Sequence, residues 1–470
     1  MKDIFKRTLK ALASVKIAVV IILCLGGIIA WGTLVEAHFD DSVAAQKLVY
    51  HSIWMYTTMS ALAICLIAVM IDRWPWKVRH MGFIFAHIGI IILMIGSIVT
   101  SVWGIDGSMA FGIGESARNV AMSETDFIVY TSMDGEKWTK VFEHEVDFFL
   151  HRPSVEKPYD IPLPVGSLKV LEYIPYALRD EKTVEATGSD IINTGAAVRF
   201  QLQNERANLT EWLLQPAPGR DVSKDLGPAQ VILAAANSEP PASDRNTLVL
   251  RPKAGTDVLD YEIHTARTKQ VKRGKVSPGE TVQTGWMGLV LRVLKYIPHA
   301  KEQVTFQATG RATPVTTGAI KINYNGTERW LGLNTNLKLF SDEAVYVVVF
   351  GNRRLDLGFP LKLKSFKVGR YQGTMRAASY ESVVDVPGIG DHVISMNEPL
   401  KFNGYTFYQS SFNEDERGNP TASILSVNWD PGRWIKYLGC LLIVFGIIHL
   451  FYFKRKMAQA QRRLEAVNAT

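Results

Sequence analysis

The sequence predicts a polytopic membrane protein, with four transmembrane helices and one large extracytoplasmic all-β domain. Three observations carry this. Four apolar runs each reach the roughly 17–25 residues that a bilayer span needs. The segments between them alternate between acidic and basic. The long stretch between the third and fourth runs has short alternating strand patterns and no long helical period. Of the 470 residues, 47% are apolar, and the excess is concentrated in the four runs.

The runs are about Val15–Val35, Ile53–Ile71, Met81–Trp103 and Trp434–Phe453. The first is too long for the apolar region of a signal peptide, and "GTLVEAHFDD" after it lacks a small-residue cleavage site. Lys2, Lys6, Arg7, Lys10 and Lys16 place the N-terminus in the cytoplasm. The acidic first loop, "EAHFDDSVAAQK", is then outside, and the second, "DRWPWKVRH", with Arg73, Lys77 and Arg79, is inside. Lys454, Arg455 and Lys456 put the end of the chain inside as well. The expected organisation is a three-span region (1–103), an external β domain (104–433), a fourth span (434–453) and a cytoplasmic tail (454–470).

The net charge of +7 comes largely from the membrane flanks, so no nucleic-acid role follows from it. Cys24, Cys65 and Cys440 all fall inside predicted spans. The external domain therefore has no disulfide, no thiol centre and no Cys-x-x-Cys-His site. Thiol chemistry is expected from another protein, a thioredoxin-like reductant being one expected partner.

In the external domain, runs such as "DFIVYTS", "AAVRFQLQ", "AVYVVVFG" and "LKLKSFKV" are separated by Asn-Gly, Asp-Gly and Gly-Asn turn signals. An internal repeat is also present. "VLEYIPYALRDEKTVEATG" (170–188) answers "VLKYIPHAKEQVTFQATG" (293–310), and "TGAAVRF" (194–200) answers "TGAIKIN" (317–323). A weaker echo is "LKSFKVGRYQGTMRAASY" (363–380). Two related, sandwich-like lobes are expected, about 165–240 and 288–350.

An ionisable group inside a span costs enough to mark a functional site by default. His87 is the deepest in span three, about 10 Å in from His80 at ~1.5 Å per residue. Gly82, Gly89 and Gly96 recur every seven residues on one face, where a neighbouring helix can approach closely. His80, His87, Met94 and Ser101 recur on roughly the opposite face, the side available to a partner or ligand. His449, in span four, lies at a similar depth, so the pair could ligate one haem iron from two sides. So near the interface, His449 equally suits a snorkelling or carbonyl-bonded role.

Elsewhere the signals are weak. His38 and His51 bracket the first loop. His144, His151, His264, His299 and His392 are isolated and not in zinc spacing. "GIGES" lacks the lysine and strand-to-helix setting of a phosphate loop. No nucleophile elbow or paired carboxylates stand out.

Taken in order, "RWPWKVRHMGFIFAHIGIIILMIGS", "GIDGSMAFGIGE", "FPLKLKSFKVGRYQGTMRAASYESVVDV", "ISMNEPLKFNGYTFYQSSF" and "WDPGRWIKYLGCLLIVFG" resemble the ResB (CcsB) family of System II cytochrome c maturation. The resemblance covers nearly the whole chain. It implies a bacterial inner-membrane subunit with both termini cytoplasmic, working with a CcsA (ResC) partner. Together they would move haem, transiently bound and shared, across the membrane for attachment to Cys-x-x-Cys-His of apocytochrome c. This chain would be a non-catalytic subunit of that haem lyase complex. The family's intramembrane haem histidine matches His87 best, in "AHIGI", with His80, seven residues earlier, as the rival. His449, by its depth, and Met94, as a haem-facing candidate on the His87 face, remain the alternatives read from the residues themselves. From the residues alone two other readings stay open: a b-type redox protein holding haem between His87 and His449, and a membrane scaffold without ligand.

Overall fold

A computed structural model describes residues 2–453, except 135, 188–190, 192–193, 228, 236–237, 239–243, 254, 342–343, 374–375 and 416–418. Lys454, Arg455 and Lys456 lie outside the described residues. The chain divides into two compact units: Met1–Ala177 with Ala308–Thr470, and Leu178–Gln307.

The first unit holds the helices α1 (Lys2–Leu12), α2 (Val15–Phe39), α3 (Ser42–Ala45), α4 (Ile53–Asp72), α5 (Met81–Trp103) and α6 (Arg433–Ile448). Among the described residues four segments are long and apolar enough to cross a membrane: α2, α4, α5, and α6 extended to Tyr452. The α5 bounds are those expected. Helix α2 runs four residues past the expected end at Val35, because its hydrogen-bond ladder outlasts its apolar run. It stops where Asp40 turns left-handed (φ 54°) and donates its N–H to the Glu36 carbonyl. Helix α1 was not expected. Its lysines cancel Ile4 and Phe5 in any hydropathy average, yet both apolar side chains are exposed, as in a helix lying at a membrane surface.

The acidic first loop is folded rather than extended. The Asp41 carboxylate caps α3 by accepting the Val43 N–H at 2.9 Å, and a π-helical turn, Gln46–Tyr50, follows. Ala44, Ala45 and Val49 are buried. The Ser52 hydroxyl then caps α4 by accepting the Met55 N–H.

The β portion of this unit contains a ten-stranded antiparallel sheet. Its main path runs Gly390–Ser395, Ala377–Val386, Val345–Arg370, Ser116–Ser132, Ile105–Gly112, Pro420–Trp429, Tyr405–Glu414 and Leu400–Phe402. Two expected strands, "AVYVVVFG" and "LKLKSFKV", are one 26-residue strand whose register shifts between Asn352 and Arg354 and between Asp356 and Leu361. Irregularity of this kind breaks the alternation that sequence reading relies on. Alternating residues fill two cores, one around Phe127, Tyr346 and Phe350, the other around Met109, Leu361 and Phe407.

The second unit is a sandwich. One sheet runs from Gln270–Val276 to Val222–Asp225, and the other from Thr281–Gln283 to Asn208–Leu214. Val198, Phe200 and Val293 from one meet Val231, Leu248 and Leu250 from the other in a common core. Each fully buried aliphatic side chain there contributes about 1.5–3 kcal/mol.

The repeat is visible as strand register. Leu168–Glu185 pairs with Thr317–Tyr324, skipping Leu171, and Val290–Ile297 pairs with Ala197–Gln203, skipping Leu294. Leu171 and Leu294 are equivalent repeat positions, so both copies carry the same one-residue bulge. In each pairing a strand of one copy lies beside the "TG-A" strand of the other.

Candidate functional site

Helices α5 and α6 pack antiparallel along glycine. A Cβ placed on Gly82 would lie 2.8 Å from the Gly446 carbonyl oxygen, one on Gly89 2.7 Å from that of Gly439, and one on Gly96 3.2 Å from that of Gly432. Gly432, Gly439 and Gly446 repeat every seven residues, as Gly82, Gly89 and Gly96 do. Sequence reading found only the α5 stripe; the matching α6 spacing was there to be read. Such close backbones gain dispersion energy that no larger residue would permit.

Beyond the membrane end of this pair the chain passes directly into paired strands, since Ile105 opposes Trp429. Asp430 bridges the junction: it accepts from the Thr100 hydroxyl at 2.6 Å and from the Lys436 ammonium at 2.7 Å. Burial pushes its carboxyl up, but Lys436 and Thr100 outweigh burial and hold it below the usual carboxylate range.

His87 lies away from this seam and is half-buried. Its Nδ1 is 2.9 Å from the Phe83 carbonyl oxygen, one helical turn earlier. A carbonyl can only accept, so Nδ1 carries the proton and Nε2 of the neutral ring carries the lone pair. The Phe83 ring stacks on the imidazole, with centroids 3.8 Å apart. On Phe83 also lies the Arg73 guanidinium, 3.7 Å from the ring centroid. Arg73 ends α4, and Trp76 holds the turn after it by donating to the Met70 carbonyl at 2.9 Å. The turn "RWPWK" thus brings a cation to the start of α5.

The other candidates are placed differently. His80 closes the short turn before α5, its Nδ1 accepting the Lys77 N–H at 3.4 Å. The Nδ1 of His449 lies 2.9 Å from where a Gly82 Cβ would be, on the glycine face. That face is about 140° around α5 from His87 at ~100° per residue. The structure therefore does not bring His87 and His449 together. Met94 shares the His87 face but is only 8% exposed, covered within the chain. His51 lines a cavity of about 230 Å³ with Lys47, Glu124 and Asp147. Among the described residues no cluster of His, Cys, Asp and Glu could hold a bare metal ion.

The residues present fit haem: one neutral imidazole, His87, would hold it. A neutral imidazole with Nδ1 anchored to a backbone carbonyl is the form that offers Nε2 to iron. Bound there, haem would supply an iron centre with exchangeable ligation. Phe83 and its neighbours would supply the apolar wall and fix the ring.

The fold and this site define a class: a membrane protein with four long apolar helices, a large β domain, and in the third of those helices a half-buried histidine anchored through Nδ1. Residues 327–426 match the ResB-like family, and over this segment the chain is ResB-like, as its sequence resemblance leads one to expect. The segment comprises β strands from Thr327–Gly332 into Pro420–Trp429 and does not include the membrane helices. The chain is also similar to Protein NrfI of Wolinella succinogenes, 34% identical over 115 residues, which cover 23% of this chain and 12% of that relative.

Proposed function

We propose that this protein is a cytochrome c biogenesis subunit that helps carry haem across the bacterial inner membrane. With a CcsA/ResC-like partner it presents haem for attachment to the Cys-x-x-Cys-His of apocytochrome c, as a non-catalytic member of the System II synthetase. The observation that carries the reading is the ResB-like segment 327–426, on the same chain as a span whose histidine is anchored through Nδ1. Both termini are cytoplasmic in this reading and the β domain faces outward, because basic residues flank the cytoplasmic ends of the spans.

His87 holds the iron through Nε2, while Phe83 keeps the tautomer and orientation. A single imidazole beside the Phe83 ring binds without closing the site, which suits a cargo that must leave. Thiol reduction of the apocytochrome falls to a separate thioredoxin-like protein, since Cys24, Cys65 and Cys440 lie in the membrane helices.

The test is to purify the full chain with and without its partner and record haem spectra. His87→Ala is expected to lower co-purified haem and cytochrome c yield, with added imidazole partly restoring both. Unchanged cytochrome c maturation in His87→Ala would sink the assignment. Stoichiometric haem that cycles redox state in the chain alone would replace it with a b-type redox protein.

A further inference from the structure

We infer that Arg73 is a positioning and specificity residue of the His87 site, taking a carboxylate of the porphyrin whose iron His87 ligates. This rests on the haem reading of His87.

Three features of Arg73 support it. First, its guanidinium carbon lies over the Phe83 ring, 3.7 Å from the centroid, and the same ring packs on His87 with centroids 3.8 Å apart, so cation and ligand are one aromatic ring apart. Second, among the described residues Arg73 has no carboxylate partner and its side chain makes no hydrogen bond. It is used as a cation on the ring, while its N–H fork, which suits a carboxylate, is not. Third, the residue is held in place: it ends α4 and precedes the turn that Trp76 pins to Met70.

Haem matches this layout by charge. Its iron sits at the centre of an apolar macrocycle and its two carboxylates sit at one edge. A ligand with only the metal would satisfy His87 and leave the guanidinium idle. A ligand with only the anion would satisfy Arg73 and leave Nε2 idle. Holding both ends fixes the in-plane rotation of the macrocycle, which one Fe–N bond leaves free. That rotation decides which edge leads when haem passes to a partner. A phospholipid phosphate could meet the same fork, so the test separates the two sources of anion.

The full chain in detergent is titrated with haemin and with haemin dimethyl ester, which keeps the iron and lacks the negative charges. Affinity and the imidazole-ligation spectrum are followed for wild type, Arg73→Gln, Arg73→Lys and His87→Ala, and co-purified lipid is measured by mass spectrometry. The wild type should prefer haemin to the ester by roughly tenfold, the scale of one charge-assisted bond. Arg73→Gln should lose that preference while ligating the ester as wild type does, which also shows that it is folded. Arg73→Lys should regain part of the preference. If His87→Ala loses ligation but Arg73→Gln keeps the full preference for haemin, this inference fails and the haem reading stands. If His87→Ala ligates both porphyrins as wild type does, the haem reading itself fails. If Arg73→Gln strips anionic phospholipid and leaves the porphyrin preference intact, Arg73 is a lipid anchor and the inference is overturned.

Discussion

Gly89 and Gly439 face each other so closely that a Cβ on either would lie 2.7 Å from the carbonyl oxygen of the other. With no side chain between them, the two backbones set the separation of α5 and α6, and through it the position of His87 relative to span four.

Gly89→Ala should therefore destabilise the protein by about 1–3 kcal/mol, since the methyl must push one backbone away from the other. Gly89→Leu should cost more. Gly26, with nothing within 4 Å of its Cβ position, is the control: Gly26→Ala should leave the thermal midpoint in detergent unchanged or raised. Equal losses at both sites would show that the helix pair is not built on this contact.

Asp430→Asn should weaken the junction between the helix pair and the paired strands by about 1–3 kcal/mol, because the Lys436 ammonium loses its charged partner. The native carboxyl is held below its ordinary range, so its contribution is complete above the unfolded value of ~3.9 and fades as pH falls through the lower folded value. Thermal midpoints of wild type and variant should accordingly converge in acid, below about pH 4. A difference that persists undiminished there would count against the ion pair.

Phe83→Leu keeps the carbonyl that anchors His87 but removes the ring stacked on it. Under the proposed haem role of His87, haem affinity should then fall by about tenfold, the scale of losing a residue that orients a ligand. The position of the haem absorption band should not move, since the substitution leaves the proposed ligand, His87, in place. A shifted band would mean that Phe83 alters ligation itself.

Within the ResB-like segment, Ser382, Gln409 and Ser423 form a buried polar cluster: Ser382 donates to Gln409 Oε1 at 2.6 Å, and the two serine hydroxyls lie 2.7 Å apart. Gln409→Ala leaves these hydroxyls short of a partner in an apolar core and should cost about 1–3 kcal/mol. The triple change to alanine should be milder per residue removed, because no polar group is then stranded. Urea or thermal unfolding of the three proteins, wild type, Gln409→Ala and the triple variant, decides between the two.

The long apolar helices were legible in the chain. Met81–Trp103 was readable to the residue because a span is a local property: twenty-odd apolar residues, bounded by His80 and Gly104, satisfy their own backbone. Helix α1 escaped because amphipathic character is a matter of angle, which averaging along the chain erases. In the β domain the individual strands were readable by alternation. Their merging into Val345–Arg370 was not, because register shifts move side chains between faces.

The sequence by itself determined which segments are long and apolar enough to cross a membrane, that His87 is a costly resident of the third of them, and that Gly82, Gly89 and Gly96 form a face a helix could approach. Only the tertiary structure decided that the approaching helix is α6, meeting them with Gly432, Gly439 and Gly446. It also put His449 on the glycine side, away from His87, and brought Arg73 onto Phe83. The reason is one of range. Span and face follow from hydrogen bonds and hydration within a few turns of one helix. Which faces meet depends on packing between elements separated by a β domain of more than 300 residues, and no local pattern encodes that distance.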